Sequence, residues 1–431
     1  MKKDNTDRKK IYSWAMYDWA NSAFATTIMA SVLPTYYSKV VVGNLDPTVA
    51  SSYWGYTNTI AMLTVAFLSP ILGAIADHKR AKLKFLTTFA VFGILATAML
   101  YSIEQGEWLQ ASFYYIIGRI GFSGTIVFYD SLLPHISNSS NIDRISALGY
   151  ALGYLGGGLL LSLNLAMILF PHAFFIPDST LATRLSFITV AIWWAVFSLP
   201  LLINIKEPPA GKVSGMEEIN LIHAGILRLK STFRRIREFK QAFRFLIAYW
   251  LYNDGIGTII VMAVIFGSEI GIGDKDLIGA ILLVQFLGIP FTLLFGRMAE
   301  KISAKKSIYI GLLVYCCISI LGLFMKHPFH FWILAVLVSM VQGGTQALSR
   351  SLFGLMIPKN RSAEFFGFFD VSEKFSGILG PAMFGLIGQL TGSSRLSILA
   401  LIVFFIGGMV LLKKVDISQG RIAAAQAENL G

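Results

Sequence analysis

A twelve-residue pattern occurs twice in this chain, each time where an apolar segment ends. Residues 73–84 read GAIADHKRAKLK and residues 296–307 read GRMAEKISAKKS. Gly73 aligns with Gly296, Ala76 with Ala299, Asp77 with Glu300, His78 with Lys301, Ala81 with Ala304 and Lys82 with Lys305. A parallel repeat of this kind means that the second half of the chain copies the plan of the first. In an apolar chain that plan is a pair of membrane-embedded halves.

The chain is apolar enough for this. Its residues are 55% hydrophobic and 14% charged, whereas about a quarter of the residues of a water-soluble domain carry charge. Roughly 20 apolar residues span the hydrocarbon of a bilayer. Twelve such stretches can be marked, near 14–41, 53–76, 84–103, 111–135, 143–170, 183–204, 244–268, 275–299, 305–325, 329–356, 361–391 and 394–413. The expected fold is therefore an all-α integral membrane protein with twelve transmembrane helices in two six-helix halves. Residues 1–204 form the first half, 205–243 a linker on the cytoplasmic side, and 244–431 the second half.

The formal charge of +12 would suggest nucleic acid in a soluble protein, but its distribution argues otherwise. With both termini placed in the cytoplasm, 28 of the 36 Lys and Arg residues fall in the tails and loops of that side. Only Arg184, Lys275, Lys326 and Arg395 fall opposite, and Lys39, Arg119, Arg350 and Lys374 lie within apolar stretches. This is the positive-inside asymmetry, so the charge serves topology. The basic start MKKDNTDRKK precedes a long apolar stretch with no small-residue cleavage site, and reads as a retained first helix. Cys316 and Cys317 are adjacent and point about 100° apart on a helix, which disfavours a disulfide, zinc site or catalytic thiol.

The linker opens with Glu207, Pro208 and Pro209 and then turns periodic. Ile219, Ile222, Ile226, Leu229, Phe233 and Ile236 recur at spacings of three and four, with Arg228, Lys230, Arg234, Arg235 and Arg237 among them. The spacing predicts an amphipathic basic helix, lying either on the anionic membrane surface or under the protein. No loop is long enough for a soluble domain, and no nucleotide-binding turn is visible, so an ATP-driven pump finds no support. Gly156, Gly157 and Gly158 sit inside an apolar stretch, where small residues let helices approach closely.

Three features resemble the major facilitator superfamily. The repeat has its glycine, an acid four residues on and a basic cluster, although Ala81 stands where that pattern usually has a glycine. Arg119 with Gly124 resembles the arginine-and-glycine pattern of the fourth helix. Ser376, Gly377, Gly380 and Pro381 supply a glycine-proline bend in the eleventh stretch. A narrower resemblance rests on residues 13–24 (SWAMYDWANSAF), 128–134 (FYDSLLP) and 346–351 (QALSRS). These are similar to the vacuole-effluxer family, whose fungal members export amino acids from the vacuole after autophagy. That resemblance implies transport, a monomer and no cofactor. The absence of a fungal-type long insert points to a bacterial inner-membrane protein.

An ionisable group at the bilayer centre costs at least about 3 kcal/mol on insertion scales, so such groups tend to line a wet cavity. Tyr17 and Asp18 in the first stretch match Tyr252 and Asn253 in the seventh, and these four, with Asn21 and Asp254 at comparable depth, are candidates for binding substrate. Arg119 offers a bidentate fork for a carboxylate. It either binds the substrate carboxylate or controls a proton-carrying acid, or else forms a buried ion pair with an aspartate such as Asp18. Asp370, Glu373 and Lys374 share one helical face. Asp370 with Lys374 makes a pair along the helix, leaving Glu373 as the less committed acid; either acid is a candidate for proton coupling, and a fixed salt bridge that only shapes the cavity is the alternative. Gly73, Asp77, Asp130, Gly296, Glu300 and Arg350 are gate candidates at the cytoplasmic helix ends.

The reading is a secondary transporter for a small polar solute, driven by protons through alternating access. From the family resemblance the solute is an amino acid or related carboxylate, with Arg119 on the carboxylate and Asp18 or Asp254 on the amine. Its partners are then the substrate, protons and membrane lipids, and no nucleic acid. An exporter of drugs or lipids is the alternative within transport. A non-transporting receptor or an intramembrane enzyme is the alternative outside it. An enzyme needs a nucleophile with its base or a metal cluster; of the six histidines only His327 and His330 are close in sequence, and they flank Pro328 in a loop.

Overall fold

The computed structural model describes residues 2–43, 45–209, 239–269 and 271–430. Among them every regular element is a helix. This follows from the solvent, because in lipid each backbone N–H and C=O must find its partner within the segment. Among the described residues ten helices are long and apolar enough to cross a membrane. They are Ser52–Lys79, Lys82–Ser102, Trp108–Ile136, Ile142–Leu169, Ser179–Asn204, Lys240–Ala263, Asp276–Ile302, Ala304–Leu323, Pro328–Leu355 and Ser394–Lys413. Leu63, Phe67, Phe92, Leu95 and Ile203 are exposed on them, as a surface solvated by lipid tails requires.

The other two expected stretches are helical but interrupted. The first passes through Lys2–Ala23, a π-helical Phe24–Ser31, Val32–Tyr36 and a second π-helical turn, Tyr37–Val41. Hydroxyl groups compete with the ladder here. Thr26 donates to the carbonyls of Ser22 (3.1 Å) and Gly157 (3.2 Å), and Ser31 donates to that of Thr26 (2.7 Å). The eleventh stretch divides into Ser362–Phe375 and Leu379–Thr391. The bend expected from Gly380 and Pro381 is a complete break at Ser376, Gly377 and Ile378.

Contacts divide the chain into two compact units. One comprises Met1–Ser69, Ala81–Tyr129 and Leu152–Pro208; the other comprises Pro70–Arg80, Asp130–Ala151 and Pro209–Gly431. Two short segments of the N-terminal half, one of them carrying Gly73 and Asp77, therefore pack within the second unit.

In the first unit the interrupted helix is gripped by Ile142–Leu169. A Cβ added at Gly156 would lie 2.5 Å from the Trp19 carbonyl oxygen, so the glycines here permit the close approach expected of them. Trp14 and Trp194 are fully buried, Trp14 stacking on Tyr129 with ring centroids 4.4 Å apart. The chain closes this unit on itself at Glu207, whose carboxylate accepts from the amides of Lys82 (2.6 Å) and Leu83 (2.8 Å) and so caps the Lys82–Met99 helix.

In the second unit an aromatic core fixes the first segment of the broken helix. Phe369 stacks on Tyr249 at 4.3 Å and on Phe353 at 5.2 Å. Lys305, the repeat lysine, donates to the carbonyls of Lys413 (3.1 Å) and Val415 (2.7 Å) and so caps the end of Ile402–Lys413. The amphipathic pattern between Ile219 and Ile236 lies outside the described residues.

Candidate functional site

Three helices of the second unit converge on Arg350. It sits near the end of Pro328–Leu355, where its Nη1 donates to Asp130 Oδ1 at 2.9 Å. Its Nε donates to the Ser146 hydroxyl and its Nη2 to the Ser146 carbonyl, both at 2.9 Å. The guanidinium lies 4.4 Å from the centre of the Tyr150 ring. Arg350 and Asp130 are both buried. A planar fork with several directed donors suits this arrangement, and a lysine would not.

The repeat places its two glycines alike and its two acids differently. Gly73 lies so close to the start of Ser362–Phe375 that a Cβ there would collide with the Ala363 carbonyl oxygen. Gly296 lies against the start of Ile142–Leu169, where a Cβ would come 2.7 Å from that of Ala147. Asp77 is buried and accepts from the amides of Ala363 (3.2 Å) and Glu364 (2.7 Å). It thus satisfies donors that a helix start leaves open, with favourable dipole interaction. Its counterpart Glu300 is exposed and makes no ion pair among the described residues. Asp143 takes the hydroxyl of Ser351 at the matching helix start.

Tyr252, Asn253 and Asp254 are all buried on the Lys240–Glu269 helix. The Tyr252 hydroxyl meets Ser349 Oγ at 2.6 Å. Asn253 Nδ2 donates to Ser376 Oγ at 2.7 Å. Asp254 accepts from the amides of Leu379 (3.1 Å) and Gly380 (2.8 Å), so both carboxylate oxygens are engaged by the second segment of the broken helix. On the first segment, Lys374 Nζ lies 3.2 Å from Asp370 Oδ1 and 3.8 Å from Glu373 Oε1. Asp370 is buried, whereas the Glu373 side chain is 38% exposed. The pair along the helix is present and Glu373 is the looser acid.

Tyr17, Asp18, Asn21 and Arg119 belong to the first unit. Tyr17 is buried and accepts from Trp194 Nε1 at 3.3 Å. Asp18 Oδ2 accepts from the Tyr129 hydroxyl at 2.8 Å. Asn21 is buried and its Nδ2 has no hydrogen-bond partner among the described residues. Arg119 rests its Nη1 on the Met29 sulfur and interacts with Tyr115, while its Nε has no hydrogen-bond partner among the described residues. Arg119 makes no ion pair among the described residues, so the pair with Asp18 is not formed. Asp18 touches residue 129 and Arg119 touches residue 29, which separates the two groups by about 15 Å along the helices.

The sequence reading missed Ser146 and Tyr150 around Arg350, Ser376 beside Asn253, and Glu207. Tyr129, Ser349 and Ser351 were within the quoted family motifs, and those motifs were the available signal. Ser146 and Glu207 act on partners 204 and 125 residues away, which no local pattern reveals. Among the described residues no three His, Cys, Asp or Glu side chains are grouped to hold a metal ion.

Comparison with known proteins agrees with this architecture. The family described as "Vacuole effluxer Atg22 like" matches residues 40–425. The chain is 38% identical over 419 residues to the uncharacterized MFS-type transporter YxiO of Bacillus subtilis (strain 168), covering 95% of this chain and 97% of that one. It is 24% identical over 461 residues to autophagy-related protein 22 of Yarrowia lipolytica, covering 87% and 77%. Among solved structures it resembles the proton:xylose symporter XylE with a TM-score of 0.70 at 14% identity, covering 96% of each chain. It also resembles the Escherichia coli fucose:proton symporter FucP (TM-score 0.69, 13% identity, 95% and 98% covered). The chain belongs to the Atg22-like vacuole-effluxer family, and with it to the major facilitator transporters, which are membrane carriers and not enzymes.

Proposed function

We propose that this transporter carries an amino acid or related carboxylate-bearing solute across a bacterial inner membrane, coupled to protons, as a monomer with both termini in the cytoplasm. The observation that carries the reading is Arg119, a cation inside the Trp108–Ile136 helix with no acidic partner among the described residues and an unused Nε donor. Keeping such a charge in a membrane helix costs at least about 3 kcal/mol. A thioether is a weak acceptor, so the guanidinium retains most of its capacity for a carboxylate. Asn21 adds an unused donor, whereas Asp18, about 15 Å from Arg119 along the helices, is out of reach of the amine of an α-amino acid held there.

Glu373 is the proton-coupling candidate, because its cation is held more closely by Asp370. Arg350 with Asp130, and Asp77 on the Ser362–Phe375 helix, act as the cytoplasmic gate. The positive-inside count supports that orientation. The test is thermal stabilisation of purified protein by a panel of amino acids, peptides, sugars, nucleosides and lysolipids. Uptake of each hit into proteoliposomes follows, with and without a pH gradient. An amino-acid hit with gradient-driven uptake is expected; a lysolipid hit supports the drug or lipid exporter instead.

A further inference from the structure

We propose that the break in the eleventh helical stretch is a working hinge and that Asn253 and Asp254 are the clamp that holds it. Asp254 is then a positioning residue and not a ligand of the solute.

The hydrogen-bond accounting at the break carries this. A helix start leaves its first amides without intrahelical partners, and a Ser, Thr, Asp or Asn just before it normally supplies the acceptor. The residue in that place here is Ile378, whose side chain has no acceptor to give. The Leu379 and Gly380 amides instead use the two oxygens of Asp254, a residue 125 positions earlier in the chain. Pro381 has no N–H, and the Ala382 amide already reaches the Ile378 carbonyl at 3.2 Å. The start of the second segment is thus fully satisfied by one carboxylate.

Its neighbour holds the other side of the break. Asn253 donates to Ser376, whose hydroxyl in turn donates to the Glu373 carbonyl at the end of the first segment. Two consecutive side chains of one helix therefore pin both ends of a three-residue gap. Gly380 lets the two helices close to this distance, because a Cβ there would collide with Thr258 Oγ1 and lie 2.8 Å from Asp254 Oδ1.

The gap itself is free to bend. A Cβ at Gly377 would meet nothing nearer than 3.9 Å, and Ile378 and Leu379 are exposed. Each segment also starts on an aspartate from another helix, Asp77 for the first and Asp254 for the second. The aromatic core fixes the first segment, which bears Asp370, Glu373 and Lys374, so the second, buried only at Gly380 and Phe384, is the piece that pivots about the gap when the Asp254 clamp lets go. Helix joints of this kind are how rigid elements change angle.

The test uses the full chain in proteoliposomes and has two arms. Hydrogen–deuterium exchange is measured on peptides covering residues 376–382 in wild type, Asp254→Asn and Asn253→Ala. Exchange in that segment is expected to rise at least about tenfold in Asp254→Asn, with Ile142–Leu169 unchanged. The second arm follows uptake of a radiolabelled amino-acid mixture by wild type, Gly377→Ala and Gly377→Pro, because a Cβ at 377 meets nothing nearer than 3.9 Å whereas a proline ring stiffens the gap. Gly377→Ala is expected to take up the mixture as wild type does and Gly377→Pro to lose uptake.

Unchanged exchange in Asp254→Asn overturns the clamp, and equal uptake by Gly377→Pro and Gly377→Ala overturns the hinge. The uptake arm rests on the transport reading, whereas the exchange arm does not. Failure of wild type to take up the mixture therefore counts against the proposed solute alone, and the exchange arm still decides the clamp.

Discussion

Arg350 and Asp130 meet at 2.9 Å with side chains only 3% and 7% exposed, although 220 residues separate them in the chain. Removing one partner of such a pair strands the other charge, which typically costs about 3–5 kcal/mol. Arg350→Ala and Arg350→Lys are both expected to lower the thermal midpoint of the purified protein. The lysine fails because it cannot reproduce the fork onto Asp130 and Ser146. Asp130→Asn combined with Arg350→Met should recover part of the loss, and a double-mutant cycle by thermal unfolding checks this.

The two acids of the repeat should respond unequally. Asp77→Ala removes the acceptor for two buried amides and is expected to cost about 0.5–2 kcal/mol, the usual range for a lost helix cap. Glu300→Ala changes an exposed side chain and should stay within about 0.5 kcal/mol. Melting curves of the two variants side by side measure the difference.

The two glycines should differ in the same direction. A Cβ at Gly73 strikes backbone, which cannot step aside, whereas one at Gly296 meets the methyl group of Ala147. Overpacking of this kind costs about 1–3 kcal/mol. Gly73→Ala is expected to fall at the upper end and to slow uptake more than Gly296→Ala, read from initial rates at matched protein levels.

Glu373→Gln removes the acid with the loosest tie to Lys374 and leaves the Asp370 pair intact. Accumulation driven by a pH gradient should be lost while exchange of labelled for unlabelled solute persists. Counterflow and gradient-driven uptake in the same vesicles separate the two.

Much of this architecture is written locally and was therefore legible. Apolar runs of membrane length announce helices, and the i, i+4 spacing of Asp370 and Lys374 announced their pair. Gly380 and Pro381 marked the eleventh stretch as irregular, but its break depends on Asp254 supplying a cap from another helix. The first π-helical turn of the first stretch, Phe24–Ser31, lies where Thr26 reaches the Gly157 carbonyl, a contact 131 residues away in the chain. The repeat predicted equal roles for Asp77 and Glu300, yet only Asp77 is buried on a helix start, because sequence symmetry does not fix what each copy packs against. The family resemblance left Asp18 and Asp254 as alternative amine ligands, and the second has both oxygens occupied.

Arg119 in the Trp108–Ile136 helix, without an acidic partner among the described residues, is proposed to take the carboxylate of a carried solute. The most direct measurement is initial uptake of labelled amino acids into proteoliposomes with an imposed pH gradient, comparing wild type with Arg119→Lys at equal, folded protein. Gradient-dependent uptake in wild type and its loss in Arg119→Lys, with the melting temperature preserved, is the expected result. Equal uptake by both proteins, or uptake indifferent to the gradient, would contradict the account.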